Sequence, residues 1–185
     1  MHGVGIGFPT INVAGLTMKQ DTENVVPAKP PIERLATMAP PAELARFRAS
    51  TKTPADQVRI GEHMLRRNPD WIRPYLLLAE NAPTPFVRDV YLAQAVSVGR
   101  RVWGPWLKSA EPIAWWTDEA TQPFMTALAM YGVEMTHKGT TSMAKGCLRL
   151  LLELDPADNI GAVDLFTEAG LIHPDNGHSK SGKTM

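Results

Sequence analysis

The strongest chemical pattern in the sequence is near the C-terminal end, where residues 177–184 read GHSKSGKT. The stretch fits the phosphate-loop pattern G-x-x-x-x-G-K-[ST], in which backbone N–H groups and a lysine, here Lys183, hold nucleotide phosphates. A working phosphate loop follows a strand and opens a helix, because the helix N-terminus supplies the anion site. Pro174-Asp-Asn precedes the match and a single residue follows Thr184. We therefore interpret the match as accidental and expect no bound nucleotide.

Other residues with catalytic or metal-binding chemistry are scattered along the chain. Cys147 is within a leucine-rich stretch, where a small buried residue is a simpler interpretation than a nucleophile, which needs a base and an accessible setting. None of the 5 histidines forms the i, i+4 pair with another histidine that is typical of zinc sites. Glu111, Asp118 and Glu119 are interpreted as solvated charges. We expect no catalytic residue, no metal site and no cofactor.

Tryptophans provide the most informative cluster. Trp103, Trp106, Trp115 and Trp116 fall within one short stretch of the chain. Tryptophan is enriched both in binding hot spots and at amphipathic boundaries. We favour packing of these indoles at the end of a helical domain, and the alternative is that one or two of them contact a partner. The residues named from the sequence as partner-contact candidates are Phe8, Pro30, Pro31, Trp106, Trp115 and Trp116.

Composition and charge are those of a soluble globular protein. The chain has 185 residues, of which 44% are hydrophobic, and its 19 Lys and Arg balance its 19 Asp and Glu. Nucleic-acid binders usually carry a basic surplus, so this balance argues against nucleic acid as the partner. The single cysteine excludes an intramolecular disulfide. No apolar run approaches the roughly 18 residues of a membrane span, and residues 1–16 lack the features of a secretory signal, so we expect a cytoplasmic protein.

The ends of the chain differ from its middle. Residues 1–50 are rich in glycine and proline, which predicts an extended arm with at most a short helix beginning at Pro41. The arm is either ordered by something that it lies against or plainly disordered. Residues 171–185 lose all helical periodicity and are predicted to form a mobile polar tail. Within that segment, we expect Leu171 and Ile172 to fold back on the preceding helix end.

Residues 53–170 carry a helical signal, with apolar residues recurring at intervals of three and four. Three of the apolar stripes predicted from this spacing are Trp71, Tyr75, Leu78 and Ala82; Val87, Tyr91, Ala95, Val98 and Val102; and Ala144, Cys147, Leu148, Leu151 and Leu152. Prolines and small polar residues divide the segment into six helices, an all-α array of antiparallel pairs. The stretch 103–120 is a tryptophan-rich insertion that prolines interrupt, so it is not expected to form one helix. The predicted helix starts are Thr53-Pro54, Asn68-Pro69-Asp70, Thr84-Pro85, Gln122-Pro123, the residues after Lys138-Gly139, and about Asp158.

Two stretches of the helical segment resemble each other: HMLRRNPDWIRPYLLLAENA and LLLELDPADNIGAVDLFTEAG. In each, an apolar helix ends in a turn that contains proline, Pro69 or Pro156, and a second helix begins within a few residues. Such units bury their apolar faces only by stacking on one another. The pattern resembles the tetratricopeptide repeat, in which a proline near the end of the second helix precedes the next unit.

A closer resemblance is to a divergent branch of these proteins, the suppressor-of-tumorigenicity-type repeat proteins, over roughly residues 56–169. It implies a tetratricopeptide-like α-solenoid, here a short array, that binds another protein, and it carries no catalytic residues. The segments that match the branch are Tyr75–Glu80 (YLLLAE), Ala95–Arg101 (AVSVGRR), Trp115-Trp116, Gln122–Met125 (QPFM) and Leu154–Gly161 (LDPADNIG).

The sequence therefore predicts a protein–protein interaction module that acts as a scaffold, an adaptor or an accessory subunit of a larger assembly. One alternative is a nucleic-acid-associated helical protein that uses the arginine pairs Arg66-Arg67 and Arg100-Arg101. A weaker alternative is a nucleotide-binding enzyme that uses residues 177–184.

Overall fold

A computed structural model describes residues 53–108 and 113–173. Within these ranges the chain forms six α-helices, a short 3-10 turn and no strand, which confirms the all-α prediction. Phe8, Pro30, Pro31, the predicted arm and the phosphate-loop match all lie outside the described residues. The elements are α1 (Pro54–Arg67), α2 (Ile72–Glu80), α3 (Pro85–Trp103), the 3-10 turn (Gly104–Trp106), α4 (Gln122–His137), α5 (Thr141–Leu154) and α6 (Ala162–Glu168).

Threonines cap the helices that the Thr-Pro pairs predicted. Thr53 Oγ1 accepts the backbone N–H of Asp56 at 3.2 Å, and Thr84 Oγ1 accepts that of Val87 at 3.3 Å. In both helices the proline occupies the first turn, where its missing N–H costs no hydrogen bond. The predicted starts of α1 and α3 are therefore confirmed.

The last helix begins later than the sequence indicated. Instead of running from about Asp158, α6 starts at Ala162. Asp158 has a left-handed φ of 51°, and its carboxylate accepts the backbone N–H groups of Ala162 at 2.6 Å and Val163 at 3.0 Å. The prediction was wrong because Asp158 satisfies the free N–H groups of the first turn from outside the helix.

The buried face of α2 is offset from the predicted stripe. Trp71 precedes the helix as its N-cap, and both Trp71 and Tyr75 are half-buried. Leu78 is buried as the stripe predicted, and the other buried side chains of the helix are Ile72, Pro74, Leu76 and Ala79. The centre of the inward face therefore lies on Ile72, Leu76 and Ala79, one position further along the helix than the predicted stripe.

Each helix packs against the next along the chain, and α4 also contacts α2 and α6. Glycines allow the closest of these approaches. A Cβ placed on Gly99 of α3 would lie 2.0 Å from Cδ2 of Phe124 in α4, and one on Gly132 of α4 would lie 2.3 Å from Cζ of Phe166 in α6. Both phenyl rings are completely buried. The core thus centres on α4, which is held against its neighbours by aromatic rings seated over glycines.

The chain after α6 folds back as predicted. The backbone N–H of Leu171 donates to the carbonyl of Phe166 at 2.9 Å, and the N–H of Ile172 reaches the same oxygen at 3.4 Å. Both side chains are partly buried against the core. Leu171 and Ile172 therefore pack back against the end of α6, just before residue 173, the last described position.

Candidate functional site

The tryptophan-rich insertion contributes its indoles to the core between α3 and α4. Trp103 lies at the centre, with its ring edge-on to Trp106 at a centroid distance of 6.3 Å and to Trp115 at 5.8 Å. Trp115 continues the cluster to Phe124 at 6.4 Å. Thr121 fastens the insertion, because its hydroxyl donates to the carbonyl of Trp115 at 2.7 Å in a buried setting. The rings therefore anchor the insertion to the start of α4.

Burial decides how much of each indole is available to a partner. Trp106 is 8% exposed and Trp115 is 6% exposed, whereas Trp116 is half-buried at the edge of the core. Such small exposed fractions leave the side chains of Trp106 and Trp115 little surface for a contact. Trp103 is fully buried, and its Nε1 has no hydrogen-bond partner among the residues that the structure describes. Packing at the end of the helices accounts for three of the four indoles.

An exposed apolar pair lies on the outer face of α3. Phe86 is 75% exposed and Val90, one helical turn further on, is 43% exposed. Residues four apart share a helix face, so the two side chains form one small patch, which we call the α3 patch. Burying a phenylalanine or valine side chain is worth about 1.5–3 kcal/mol, so the patch offers binding free energy to a partner.

Charged contacts fix the helix segment that carries this patch. Lys138, just after α4, donates to the carboxylate of Asp89, and Arg88 pairs with Glu134 of α4 at 3.9 Å. Asp89 Oδ2 accepts the hydrogen bond from Lys138, while the buried Oδ1 has no hydrogen-bond partner within the described part of the chain. The α3 residues of both contacts, Arg88 and Asp89, lie between Phe86 and Val90 in the sequence. The first turns of α3, which carry the α3 patch, thus make two ion pairs with α4 and the residue after it.

A second surface runs along α5. A shallow cavity of about 390 Å³ follows one face of the helix. We call it the α5 groove, and the residues that line it are Lys145, Leu148, Arg149, Leu152 and Glu153. Leu148 and Leu152 are half-buried on either side of the fully buried Leu151. The sequence placed these leucines in the core stripe, whereas the structure places them at the border between core and solvent.

The two arginine pairs lie at the same end of the molecule. Arg101 of α3 binds the carboxylate of Asp70 in the turn after α1, which brings the C-terminal end of α3 close to that of α1. Arg66 pairs with Glu62 at 3.9 Å within α1. Arg100 is exposed and, as the neighbouring residue of the helix, points about 100° away from Arg101. Positions in the last turns of α1 and α3 also suit cations through the helix dipole.

Cys147 is a core residue, as its leucine-rich setting predicted. It is buried and packs against α4, where a Cβ added to Gly132 would lie 2.9 Å from the Cβ of Cys147. Burial raises the pKa of the thiol, although the nearby positive charge of Arg100 opposes the shift. The thiol is therefore protonated at neutral pH and packs as a small apolar group.

Over residues 53–108 and 113–173, the side chains contain no group of three or more His, Cys, Asp or Glu arranged to hold a metal ion. In the same part of the chain, no helix combines the length and the apolar character that a bilayer crossing requires.

No known protein family matches the chain, and neither a curated protein nor a solved structure matches it.

Sequence reasoning missed both surfaces. The stripe assigned to α3 ran through Val87, Tyr91 and Ala95 and left Phe86 and Val90 unassigned. A signal was present, because these two residues form a second apolar face of the same helix. The packing of α4 determines which face of α3 is buried, and the sequence of α3 alone does not predict that packing.

Proposed function

We propose that this protein is a non-catalytic interaction module, a scaffold, adaptor or accessory subunit that holds another protein. We further propose that its helices form a short tetratricopeptide-like array of antiparallel pairs. Contacts between α2 and α4 and between α4 and α6 support this arrangement, in addition to those between successive helices. Pro69 and Pro156 follow α1 and α5, which fits α1 and α5 as the second helices of two units with the pair α2–α3 between them.

The exposure of the α3 patch is the observation that carries the proposal. Phe86 is 75% exposed on a helix that packs against α4 and whose first turns also make two ion pairs with α4 and the residue after it. An aromatic ring on a rigid helix loses little conformational freedom on binding, so more of its burial free energy appears as affinity. Aromatic residues are also the side chains most enriched at binding hot spots. The partner is expected to cover Phe86 and Val90 with an apolar surface of its own.

Among the candidates named from the sequence, Trp116 is the tryptophan with side-chain surface left for a partner. Contacts of a partner with Phe8, Pro30 and Pro31 stay predictions, since these residues are outside the described part of the chain. The proposal therefore centres on α3 and treats Trp106 and Trp115 as residues that hold the domain together.

Paired purification tests the proposal. The tagged protein, the double variant Phe86→Ser/Val90→Ser and the control Gln94→Ser/Ser97→Ala are each isolated from cells that make the protein naturally. Gln94 and Ser97 are exposed on the same face of α3 but are polar. We expect a stoichiometric partner with the wild type and the control, and its loss with the double variant at unchanged thermal stability. A lone monomer in all three preparations would argue against an interaction module.

Nucleic-acid binding is the second candidate, favoured by one contact. The pairing of Arg101 with Asp70 brings the arginines of α1 and α3 to the same end of the molecule. Its test is the salt dependence of binding to a short DNA or RNA duplex, since phosphate contacts make affinity fall steeply with salt. Binding that weakens steeply with salt and is reduced by Arg66→Ala/Arg100→Ala would replace the protein partner by a nucleic acid.

A further inference from the structure

We propose that the α5 groove binds an acidic amphipathic helix of a partner protein, which packs along α5 at the end of the array. The inference rests on the proposed function and specifies the chemistry of the partner. It concerns a surface on a different helix from the α3 patch, so the two can be tested separately.

The apolar part of the groove matches the spacing of a helix. Leu148 and Leu152 are one turn apart on α5, and the fully buried Leu151 beside them ties this wall to the core. Side chains three and four residues apart form ridges that pack into the grooves of a second helix. A partner helix with leucine-type residues at the same spacing therefore fits against this face.

The charged part of the groove favours acidic groups. Lys145 and Arg149 lie one turn apart on the same face, and Lys145 has no ion-pair partner among the described residues. Arg149 contacts Glu153 at 3.7 Å, but the two side chains are 78% and 62% exposed. Such an exposed pair contributes little and can exchange for another carboxylate. A carboxylate on the partner would pair with Lys145 and share Arg149 with Glu153, whereas a basic partner would be repelled by the net positive charge of the lining.

The position of the groove fits the addition of a further helix. α5 and α6 are the last helices in the described part of the chain, and α6 leaves Val163 and Leu165 40% and 38% exposed. Stacked helix pairs keep an apolar edge uncovered at their ends unless a capping element packs there. Residues 174–185 offer Met185 as their one hydrophobic residue, so this stretch supplies no matching apolar stripe.

Methyl NMR of the full chain with three synthetic peptides tests the inference. The first peptide is an amphipathic helix with leucines four residues apart and flanking glutamates. The second replaces each glutamate by lysine, and the third keeps the glutamates but replaces each leucine by serine. We expect saturable shifts of the Leu148 and Leu152 methyl signals with the first peptide alone.

Charge reversal in the groove provides the matched comparison. Lys145→Glu/Arg149→Glu should lower the binding affinity of the glutamate peptide by about ten-fold and allow the lysine peptide to bind, because the charge of the groove is reversed. The control Arg66→Glu/Arg73→Glu makes the same change in net charge on α1 and α2 and should alter affinity by less than about two-fold.

Three results would overturn the inference. These are equal binding of the glutamate and lysine peptides, no saturable shift with any peptide, and groove shifts that depend on protein concentration without peptide, which would make a second copy the occupant. Loss of the partner from the Phe86→Ser/Val90→Ser variant would still support the proposed function in each case. The two claims therefore fail separately.

Discussion

Gly99 of α3 and Phe124 of α4 approach so closely that a Cβ on the glycine would overlap the phenyl ring, at 2.0 Å from Cδ2 and 2.5 Å from Cε2. The ring is fully buried and also neighbours Trp115, so it cannot swing into solvent. This contact sets the distance between α3 and α4. It therefore helps to hold α3, the helix that carries Phe86 and Val90, against α4.

Replacing Gly99 by alanine should destabilise the fold even though alanine favours helix. Overpacking a core typically costs about 1–3 kcal/mol, and the helix propensity of alanine returns about 1 kcal/mol. Because a Cβ on Gly99 would lie 2.0 Å from the buried ring, we expect the upper end of the overpacking range, so Gly99→Ala should lower the free energy of unfolding, measured by urea denaturation, by about 2 kcal/mol. Gly146→Ala in α5 is the control, because a Cβ there meets no atom within 4 Å and should stabilise the protein. Equal stability of the two variants would show that α3 and α4 are not in contact at Gly99.

Removing the Trp106 side chain should lower the stability of the fold rather than act directly on the binding of a partner. Trp106 is 8% exposed and packs edge-on against Trp103. Truncating a buried tryptophan costs about 3–5 kcal/mol, so Trp106→Ala should lower the free energy of unfolding by that order. Trp116→Ala is the comparison, because the Trp116 side chain is half-buried and its removal should lower the free energy of unfolding by less. An unchanged midpoint for Trp106→Ala, together with loss of a partner, would instead make Trp106 an interface residue.

The cap of α6 makes a prediction about Asp158. Its carboxylate accepts two backbone N–H groups of the first turn, and its φ of 51° is better tolerated by asparagine than by alanine. Asp158→Ala should lower the free energy of unfolding by about 1–2 kcal/mol. Asp158→Asn should recover part of that loss, because the amide oxygen still accepts one of the bonds. If both variants unfold at the same urea concentration as the wild type, the cap is absent in solution.

Alkaline pH should reveal the burial of Cys147. Burial raises the pKa of the folded thiol, with Arg100 acting in the opposite direction. The stability gained from keeping the thiol neutral is complete below its ordinary pKa of about 8.5 and is lost as pH rises toward and through the raised value, because the unfolded thiol then ionises first. The stability advantage of wild type over Cys147→Ala should therefore be smaller at about pH 9.5 than at pH 7. An advantage that stays constant or grows with pH would contradict the burial.

Helix boundaries were predictable where local chemistry sets them. Thr53-Pro54 and Thr84-Pro85 place a capping hydroxyl before a proline, and both helices begin there. Asp158 was misassigned because its carboxylate reaches forward by four and five residues, a local contact that the apolar periodicity does not encode. Local signals were therefore sufficient to predict where most helices begin. The start of α6 was predicted too early because Asp158, which caps this helix, was counted as part of it.

The candidate surfaces were not predictable in the same way. α3 has apolar residues on more than one face, and Leu92 is fully buried while Phe86 on another face is exposed. The choice between such faces is made by Phe124 seating over Gly99, a contact between residues far apart in sequence. Tertiary packing thus decides which apolar residues remain free for a partner.

Site-specific photo-crosslinking from the α3 patch tests the central claim most directly. A photoreactive amino acid is placed at Phe86 in one version of the protein and at Gln94 in another, and both are irradiated in cells that make the protein naturally. Gln94 is exposed on the same helix, so it controls for collision. We predict one dominant protein adduct from position 86 and little from position 94. Equal, diffuse labelling from both positions would contradict the assignment of α3 as the binding surface.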